Sequence, residues 1–263
     1  MRPHDIIGKR IGDYLPKADN GGAEFLEFQK TNNGMKLEKF EIGSNKQFVL
    51  KKDPKSYPGF EIRNIKSNNL LWTGKGKNTT PLFTKEELLA KNGKFNDNQM
   101  STAFVVKYGK FKYYAGGDNS GLVDQDHAEW YDIETPMAPL VGKVSAMSLN
   151  HHSNRDATNR NFLDVLDPKV VVAQSWSPDH PGPEVGQRLL SGNVGTQKRE
   201  IFMTYYHEET GIGIGPWFSR GVKAKEGHIV IRVYPDGKYD VYVLDSRKSN
   251  MTIVKKFGPY VSE

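Results

Sequence analysis

The sequence predicts a mixed α/β protein, and three observations support this class. A hairpin pattern covers 104–115, a strand–helix–strand pattern covers 144–175, and a second hairpin pattern covers 228–244. The last strand of the middle unit is a continuous apolar run, which is typical of strands buried on both faces of a sheet. Because strands and helices alternate here, we expect an α/β architecture for the C-terminal two thirds of the chain.

The N-terminal segment, 1–95, is rich in Asn, Lys and Gly. We expect it to be an irregular, strand-poor segment that covers the core. One helix is predicted at 84–93, with Thr84 as its N-cap and Glu87 three residues later, as in a capping box. Short strand patterns lie between turn-forming residues at 47–50, 60–65 and 70–72.

The remainder, 96–263, is expected to form one domain. Each hairpin pattern places aromatic and β-branched strands around a turn that contains Gly109 or Gly237. The middle unit has a strand at 144–149, a helix that stops before Pro168, and a strand at 170–175. A further helix and a further strand are predicted at 184–190 and 201–206.

Composition excludes several kinds of site. The chain has 263 residues, a formal net charge of +6 and no cysteine, so disulfides, thiolate zinc sites and cysteine nucleophiles are ruled out. Its lysines are spread along the chain, which is compatible with an anionic substrate without requiring one. No run is long enough to span a membrane, and the N-terminus lacks the apolar region of a signal peptide. We therefore expect a soluble protein, cytoplasmic by default, without a membrane partner.

Three predicted strands end at residues that can bind a metal. Gly117-Asp118 follows the first hairpin, His151-His152 follows the strand at 144–149, and His180-Pro181 follows the strand at 170–175. With no cysteine present, only His, Asp and Glu side chains can hold an ion, and such nitrogen and oxygen ligands suit a catalytic ion.

The order of these motifs resembles the C-terminal half of a metallo-β-lactamase-fold hydrolase. It is most similar to the branch typified by the hydrolase domain of the DNA-uptake channel protein ComEC/Rec2. The resemblance covers about 98–190 and includes Gly117-Asp118, His151-His152 and His180-Pro181 in the family order. It implies an αββα sandwich represented mainly by its C-terminal half, and metal-dependent hydrolysis of phosphodiester bonds in nucleic acids or nucleotides.

The resemblance also implies roles for individual residues. Asp118 matches the carboxylate that bridges two divalent ions, and His151 or His152 matches a downstream imidazole at the metals. His180 matches a second-sphere or substrate-facing group. The implied metal ligands are thus Asp118, His151 and His152, and the implied catalytic residues are Asp118, His152 and His180. Zinc and manganese both suit oxygen-rich mixed sites. Sequence does not decide which of the paired histidines faces inward, because neighbours at a strand end point to opposite sides.

The chain departs from the family pattern at two places. The family has Gly after the paired histidines, whereas this chain has Ser153. The main metal motif of the family, His-x-His-x-Asp-His, is absent upstream of the first hairpin, and Asp126-His127 lies downstream of it and is a chance similarity. About half of a two-metal site is therefore expected.

Three explanations are open for the missing motif: a C-terminal fragment, a naturally shortened gene product, or a pseudoenzyme. A fragment or truncated gene model is the one we favour. The alternative function is a catalytically inactive metallo-β-lactamase-like scaffold that acts in binding or assembly. An uncovered sheet face would then pair with a second copy or with a missing N-terminal half.

Several residues have ordinary interpretations. Arg155 and Asp156 are expected to form a local ion pair. A Ser-His-Asp triad can be written from Ser153, His152 and Asp156, but the segment has no nucleophile elbow. Tryptophans are more often core residues than stacking platforms, and we expect this for Trp130, Trp176 and Trp217. Residues His207 and His228 are expected to serve in packing or at the surface.

Overall fold

The computed structural model describes residues 31–32, 34, 38–89, 97–122 and 128–263. Its central element is a nine-stranded mixed sheet with the strand order β3-β2-β1-β4-β5-β6-β7-β8-β9. Strands β5 to β9 run parallel to one another, whereas β1 to β5 pair antiparallel. The predicted α/β class is confirmed, because the described residues contain a large mixed sheet, a small sheet and several helices.

The N-terminal segment contributes three strands to this sheet: β1 (Glu61–Ser67), β2 (Leu70–Trp72) and β3 (Thr79–Pro81). The strand patterns predicted at 60–65 and 70–72 are confirmed as β1 and β2, whereas β3 was not predicted. Pairing with β4 places β1 in the sheet. The description of 1–95 as an irregular, strand-poor segment and the division at residue 95 stay predictions.

Local patterns in the same segment had mixed outcomes. The capping box is confirmed, because the Glu87 backbone N–H donates to Thr84 Oγ1 at 3.1 Å and the Thr84 N–H donates to Glu87 Oε2 at 2.6 Å. Helix α1 is described over Lys85–Leu89, and the predicted end at Gly93 lies outside the described residues. The strand predicted at 47–50 is absent from these described residues, which are bends and irregular backbone.

The first hairpin and the βαβ unit are confirmed. The hairpin strands are β4 (Ala103–Tyr108) and β5 (Phe111–Gly116), and Gly109 in the turn has φ 58°, the left-handed conformation that glycine adopts without cost. The parallel strands that follow are β6 (Ala146–Ser148), β7 (Val170–Ala173), β8 (Glu200–Met203) and β9 (Val222–Ala224).

Helices cover one face of the large sheet. They are α2 (Glu134–Val141), α3 (Arg160–Leu166), α4 (Pro183–Leu190), α5 (Glu208–Ile214) and α6 (Pro216–Gly221). Met147, Val171 and Ile201 point from the sheet into a core that includes Phe162 of α3 and Val185 of α4. Successive strand residues alternate between the two faces, so the neighbours of these residues point the other way.

The opposite face packs against a second, three-stranded sheet. Its strands are β10 (His228–Val233), β11 (Lys238–Leu244) and β12 (Ile253–Val261), in that order. The Asp-Gly hairpin is confirmed, whereas β12 was not predicted. Phe202 of β8 packs with Tyr239 and Val241 of β11 in the core between the two sheets. The described residues thus form three layers: helices, the large sheet and the small sheet. No described helix has the length and apolarity that crossing a bilayer requires.

Candidate functional site

The predicted site residues meet at one edge of the large sheet. Asp118 follows β5, His151 and His152 follow β6, His180 follows β7 and His207 follows β8. These four strands are parallel, so their carboxyl ends lie along the same edge, which is where open α/β sheets place their binding sites. The topology therefore brings together side chains that are up to 89 residues apart, from Asp118 to His207.

Two glycines let the chain pass closely before Asp118. A Cβ atom at Gly116 would lie 2.2 Å from Asn150 Oδ1, and one at Gly117 would lie 2.8 Å from Ser101 Oγ. The Asp118 backbone N–H donates to the same Ser101 hydroxyl at 2.9 Å. The backbone is therefore closely packed at Gly-Gly-Asp, and this packing fixes the position from which the Asp118 side chain projects.

The paired histidines lie in a short 3₁₀ segment, Asn150–Ser153, and not at the end of the strand itself. His151, His152 and Ser153 have φ values of 47°, 53° and 71°, a left-handed conformation that is unfavourable for residues with a Cβ atom. Three such residues in succession turn the two imidazoles in different directions. Strain of this kind persists only where the surroundings hold it in place.

A buried hydrogen-bond network holds this segment. The Tyr114 hydroxyl donates to Asn150 Oδ1 at 2.9 Å, and Asn150 Nδ2 donates to Glu134 Oε1 at 2.7 Å. Glu134 also accepts from the backbone N–H groups of Thr158 at 2.7 Å and Asn159 at 2.6 Å. Burial raises the pKa of Glu134 to about 7, although these donors favour the ionised form. The network joins β5, α2 and the start of α3 beneath the histidines.

His152 is the histidine that faces Asp118. Its Nδ1 lies 2.8 Å from the carbonyl oxygen of Gln174, and a carbonyl only accepts, so Nδ1 carries a proton. Its Nε2 lies 3.5 Å from Asp118 Oδ1. Nε2 can therefore bind a second proton and pair with Asp118, or offer its lone pair to a cation that Asp118 shares. A histidine fixed through its other nitrogen is the usual arrangement for a metal ligand.

His180 and Trp176 form the wall beside His152. The rings of His180 and His152 stack with centroids 5.6 Å apart and planes at 20°. The Trp176 ring meets both edge-on, at 6.5 Å from His152 and 6.3 Å from His180. His180 is 8% exposed, and burial lowers its pKa, assisted by the nearby histidines and opposed by Asp179. His180 is therefore suited to the neutral state, in which it can accept or donate a proton.

His151 points away from this group. Its Nδ1 lies 2.8 Å from Asp156 Oδ1, and its Nε2 lies 3.0 Å from Asn98 Nδ2. Burial lowers the pKa of His151, but the hydrogen bond and charge of Asp156 outweigh burial, and the net pKa is raised. Both ring nitrogens are occupied, so His151 is a poorer candidate ligand than His152. Asp156 pairs with His151, and the expected Arg155–Asp156 ion pair was wrong.

The donor set was tested against the metal centre that the resemblance implies. Asp118 and His152 bring one carboxylate oxygen and one imidazole nitrogen together, whereas a catalytic ion takes about three protein ligands. Within the described ranges, no group of three or more His, Asp or Glu side chains is placed to hold a metal. The pair does not by itself form a complete catalytic metal centre. Asp126 and His127 lie outside the described residues.

Sequence reasoning missed some residues at this edge. Trp176 was expected in the core, but it is 68% exposed and contacts the two site imidazoles. Its position three residues after the end of β7 is a signal that could have placed it at the site. Glu134 carried no such signal, because its role depends on the distant residues Asn150 and Thr158. His207 lies at the margin, where its Nε2 is 2.9 Å from the Trp176 carbonyl oxygen.

Comparisons with known proteins add no family assignment. A scan against protein-family models gave no match, and a search of curated protein sequences gave none either. The likeness to metallo-β-lactamase-type hydrolases depends on the motifs between 98 and 190 and stays a prediction.

Proposed function

We propose that this protein is a hydrolase of the metallo-β-lactamase superfamily that acts on phosphodiester bonds in nucleic acids or nucleotides. The observation that carries the proposal is the Asp118–His152 pair at the ends of β5 and β6, with His152 Nε2 3.5 Å from the carboxylate. Because Nδ1 of His152 donates its proton to the Gln174 carbonyl, the lone pair on Nε2 is available to a cation. The net charge of +6 is compatible with an anionic substrate.

In this proposal each residue at the sheet edge has a defined part. Asp118 and His152 would hold a zinc or manganese ion as two of its ligands, and a catalytic ion would need about one more protein ligand besides them. Trp176 is an exposed apolar surface against which part of a substrate can pack. His180 stands behind His152 and is the group we assign to proton transfer or substrate contact. His151, with Asp156, supports the segment that carries His152.

The experiment measures metal content and turnover in the same samples. The protein is dialysed against zinc or manganese, its bound metal is measured by mass spectrometry, and hydrolysis of bis(p-nitrophenyl) phosphate is followed. We expect Asp118→Ala and His152→Ala each to weaken metal binding about tenfold or more and to remove the turnover. His228→Ala is the matched control, because His228 is exposed on the small sheet and its loss should change neither quantity.

Two results would contradict the proposal. Metal binding and turnover that survive both substitutions would show that this edge is not the site. A wild-type protein without metal and without turnover would support the second candidate, a catalytically inactive scaffold that acts in binding or assembly. The hydrogen bonds of His151 favour that candidate. Both of its ring nitrogens have protein partners, so this second histidine of the motif is not available to bind an ion.

A further inference from the structure

A lysine-rich cavity lies at the opposite edge of the large sheet from the histidines. Its volume is about 510 Å³. Ser145 and Lys169 line it and directly precede β6 and β7, so the cavity is at the amino ends of the parallel strands. It is lined by five lysines: Lys107, Lys110, Lys112, Lys143 and Lys169. Two tyrosines of the small sheet, Tyr239 and Tyr260, complete one wall.

The carboxylates in this cavity do not balance the lysines. Only Asp167 and Glu263 line it with the five lysines. Asp167 accepts backbone N–H groups of Thr196 at 2.8 Å and Gln197 at 3.0 Å, and it lies 3.7 Å from Arg199. Glu263 accepts from Gln197 Nε2 at 3.2 Å. Glu200, outside the lining, lies 3.9 Å from Lys169. The five lysines outnumber the two carboxylates that line the cavity, so its lining is positively charged.

Two of the lysines face each other across the hairpin. Lys107 of β4 is the direct partner of Lys112 of β5, and like charges in opposed positions destabilise a strand pair. Burial lowers the pKa of Lys112, and the charge of Lys107 lowers it further. On its other side Lys107 is opposite Glu61, but that carboxylate is held by Arg63 at 2.9 Å. The charge of Lys107 also contributes to a lowered pKa of Glu61, so Arg63 and Lys107 share this one carboxylate.

The five lysines differ in their internal contacts. Lys112 Nζ donates to the Val141 carbonyl at the end of α2, Lys169 Nζ donates to the Lys198 carbonyl at 2.9 Å, and Lys143 Nζ lies 3.8 Å from Asp167. Among the described residues, neither Lys107 nor Lys110 has a carboxylate within 4.0 Å. Packing thus engages three of these lysines. Lys107, which shares Glu61 with Arg63, and Lys110 are exposed and can turn toward a ligand.

We propose that this cavity binds a small molecule that carries two or more adjacent phosphate groups. Its volume is within the range of small-molecule sites, roughly 300–1,000 Å³, and lysines bind phosphate as concentrated positive charges. An anion between Lys107 and Lys112 removes the repulsion that the hairpin otherwise contains. The cavity is separate from the Asp118–His152 pair, so the inference does not depend on the proposed hydrolytic function.

The test is calorimetric titration of the whole chain with sodium triphosphate. Binding to the wild type is expected, with an affinity that falls as the salt concentration rises. The double substitution Lys107→Gln and Lys110→Gln should weaken binding about tenfold or more, since both ammonium groups are exposed and neither has a carboxylate within 4.0 Å in the described part of the chain. Lys248→Gln is the matched control, because this exposed lysine follows the far end of β11, about 20 Å from Tyr239 at the rise of an extended strand.

Further arms separate the other outcomes. Asp118→Ala should leave triphosphate binding unchanged. If this variant lost triphosphate binding, the anion would bind at the histidine edge and the inference would be overturned. Absence of binding to the wild type at millimolar triphosphate, or an equal loss in Lys248→Gln, would also overturn it. A single-stranded oligonucleotide that binds more tightly than triphosphate and displaces it would identify a nucleic-acid backbone as the occupant, against the small molecule proposed here.

Discussion

Lys66 is a buried cation next to the last residue of β1. It has no exposed surface, and its ammonium group donates to the carbonyl oxygens of Gln99 at 2.6 Å and Ser101 at 2.7 Å. Burial lowers its pKa to about 7, because the low-polarity interior disfavours the charged form. The contact joins β1 to the segment before β4 that contains Ser101, whose hydroxyl accepts the Asp118 backbone N–H.

The lowered pKa predicts how stability changes with pH. Above pH 7 folded Lys66 loses a proton that the unfolded chain retains until about pH 10.4, so the free energy of unfolding should rise with pH between 7 and 9. The slope from this residue is at most about 1.4 kcal/mol per pH unit. Urea unfolding at several pH values should show this rise in the wild type and in exposed Lys51→Met, and a smaller rise in Lys66→Met.

Parallel pH profiles for the wild type and Lys66→Met would contradict the lowered pKa. The comparison uses only the slope with pH, because removing the ammonium group also leaves the Gln99 and Ser101 carbonyls without their donor. That second effect shifts the Lys66→Met profile by a constant amount.

At the scale of single elements, the segment Asn150–Ser153 determines the site. Its left-handed backbone turns His152 toward Asp118 and His151 toward Asp156. Ser153 has φ 71°, and its buried hydroxyl has no hydrogen-bond partner in the described part of the chain. A glycine, which the metallo-β-lactamase pattern has at this place, adopts this conformation freely.

Ser153→Gly should therefore stabilise the protein. The substitution removes left-handed strain of about 1 kcal/mol and the cost of an unpaired buried hydroxyl, about 1–3 kcal/mol, while the greater freedom of glycine in the unfolded chain offsets roughly 1 kcal/mol. A net gain of about 1 kcal/mol or more in the free energy of unfolding is expected by chemical denaturation. Ser219→Gly, within helix α6, should lower stability instead. Loss of stability in Ser153→Gly would show that the hydroxyl is satisfied.

At the scale of the whole molecule, the small sheet packs against one face of the large sheet. Tyr239, Val241 and Val243 of β11 point toward the large sheet, so Asp240 and Tyr242 point to the other face. There Lys256 Nζ lies 2.8 Å from Asp240 Oδ2, and the Tyr234 hydroxyl donates to the same carboxylate at 2.7 Å. This face of the small sheet is charged, and association with a second chain or a missing N-terminal half stays a prediction.

Substitution of Phe202 tests whether the two sheets unfold together. It is fully buried between them and meets the Phe257 ring at 5.1 Å, edge to face. Phe202→Ala should cost about 3–5 kcal/mol of stability through the cavity it leaves. Tryptophan fluorescence and circular dichroism should shift together in one transition. Val230→Ala, at a position 42% exposed, should change stability by less than about 0.5 kcal/mol. Separate transitions in the Phe202 variant would contradict a common core.

Much of the fold could be predicted because its signals are local. The α/β class, both hairpins, the βαβ unit and the Thr84 cap follow from residue periodicity and turn chemistry over a few residues. The same reasoning did not predict β3 or β12, which take their places through pairing with β2 and β11. It also failed for Trp176, which a composition argument placed in the core.

The sequence by itself determined the strand ends and the residue types that they carry: Asp118, the paired histidines and His180. Only the tertiary structure decided that His152 faces Asp118 and that His151 does not. It alone also gathered five lysines at the opposite edge. The physical reason is that periodicity reports the burial of one residue against its near neighbours. The direction of a side chain depends on partners such as Glu134 and Gln174, which are distant in sequence and are brought close by packing.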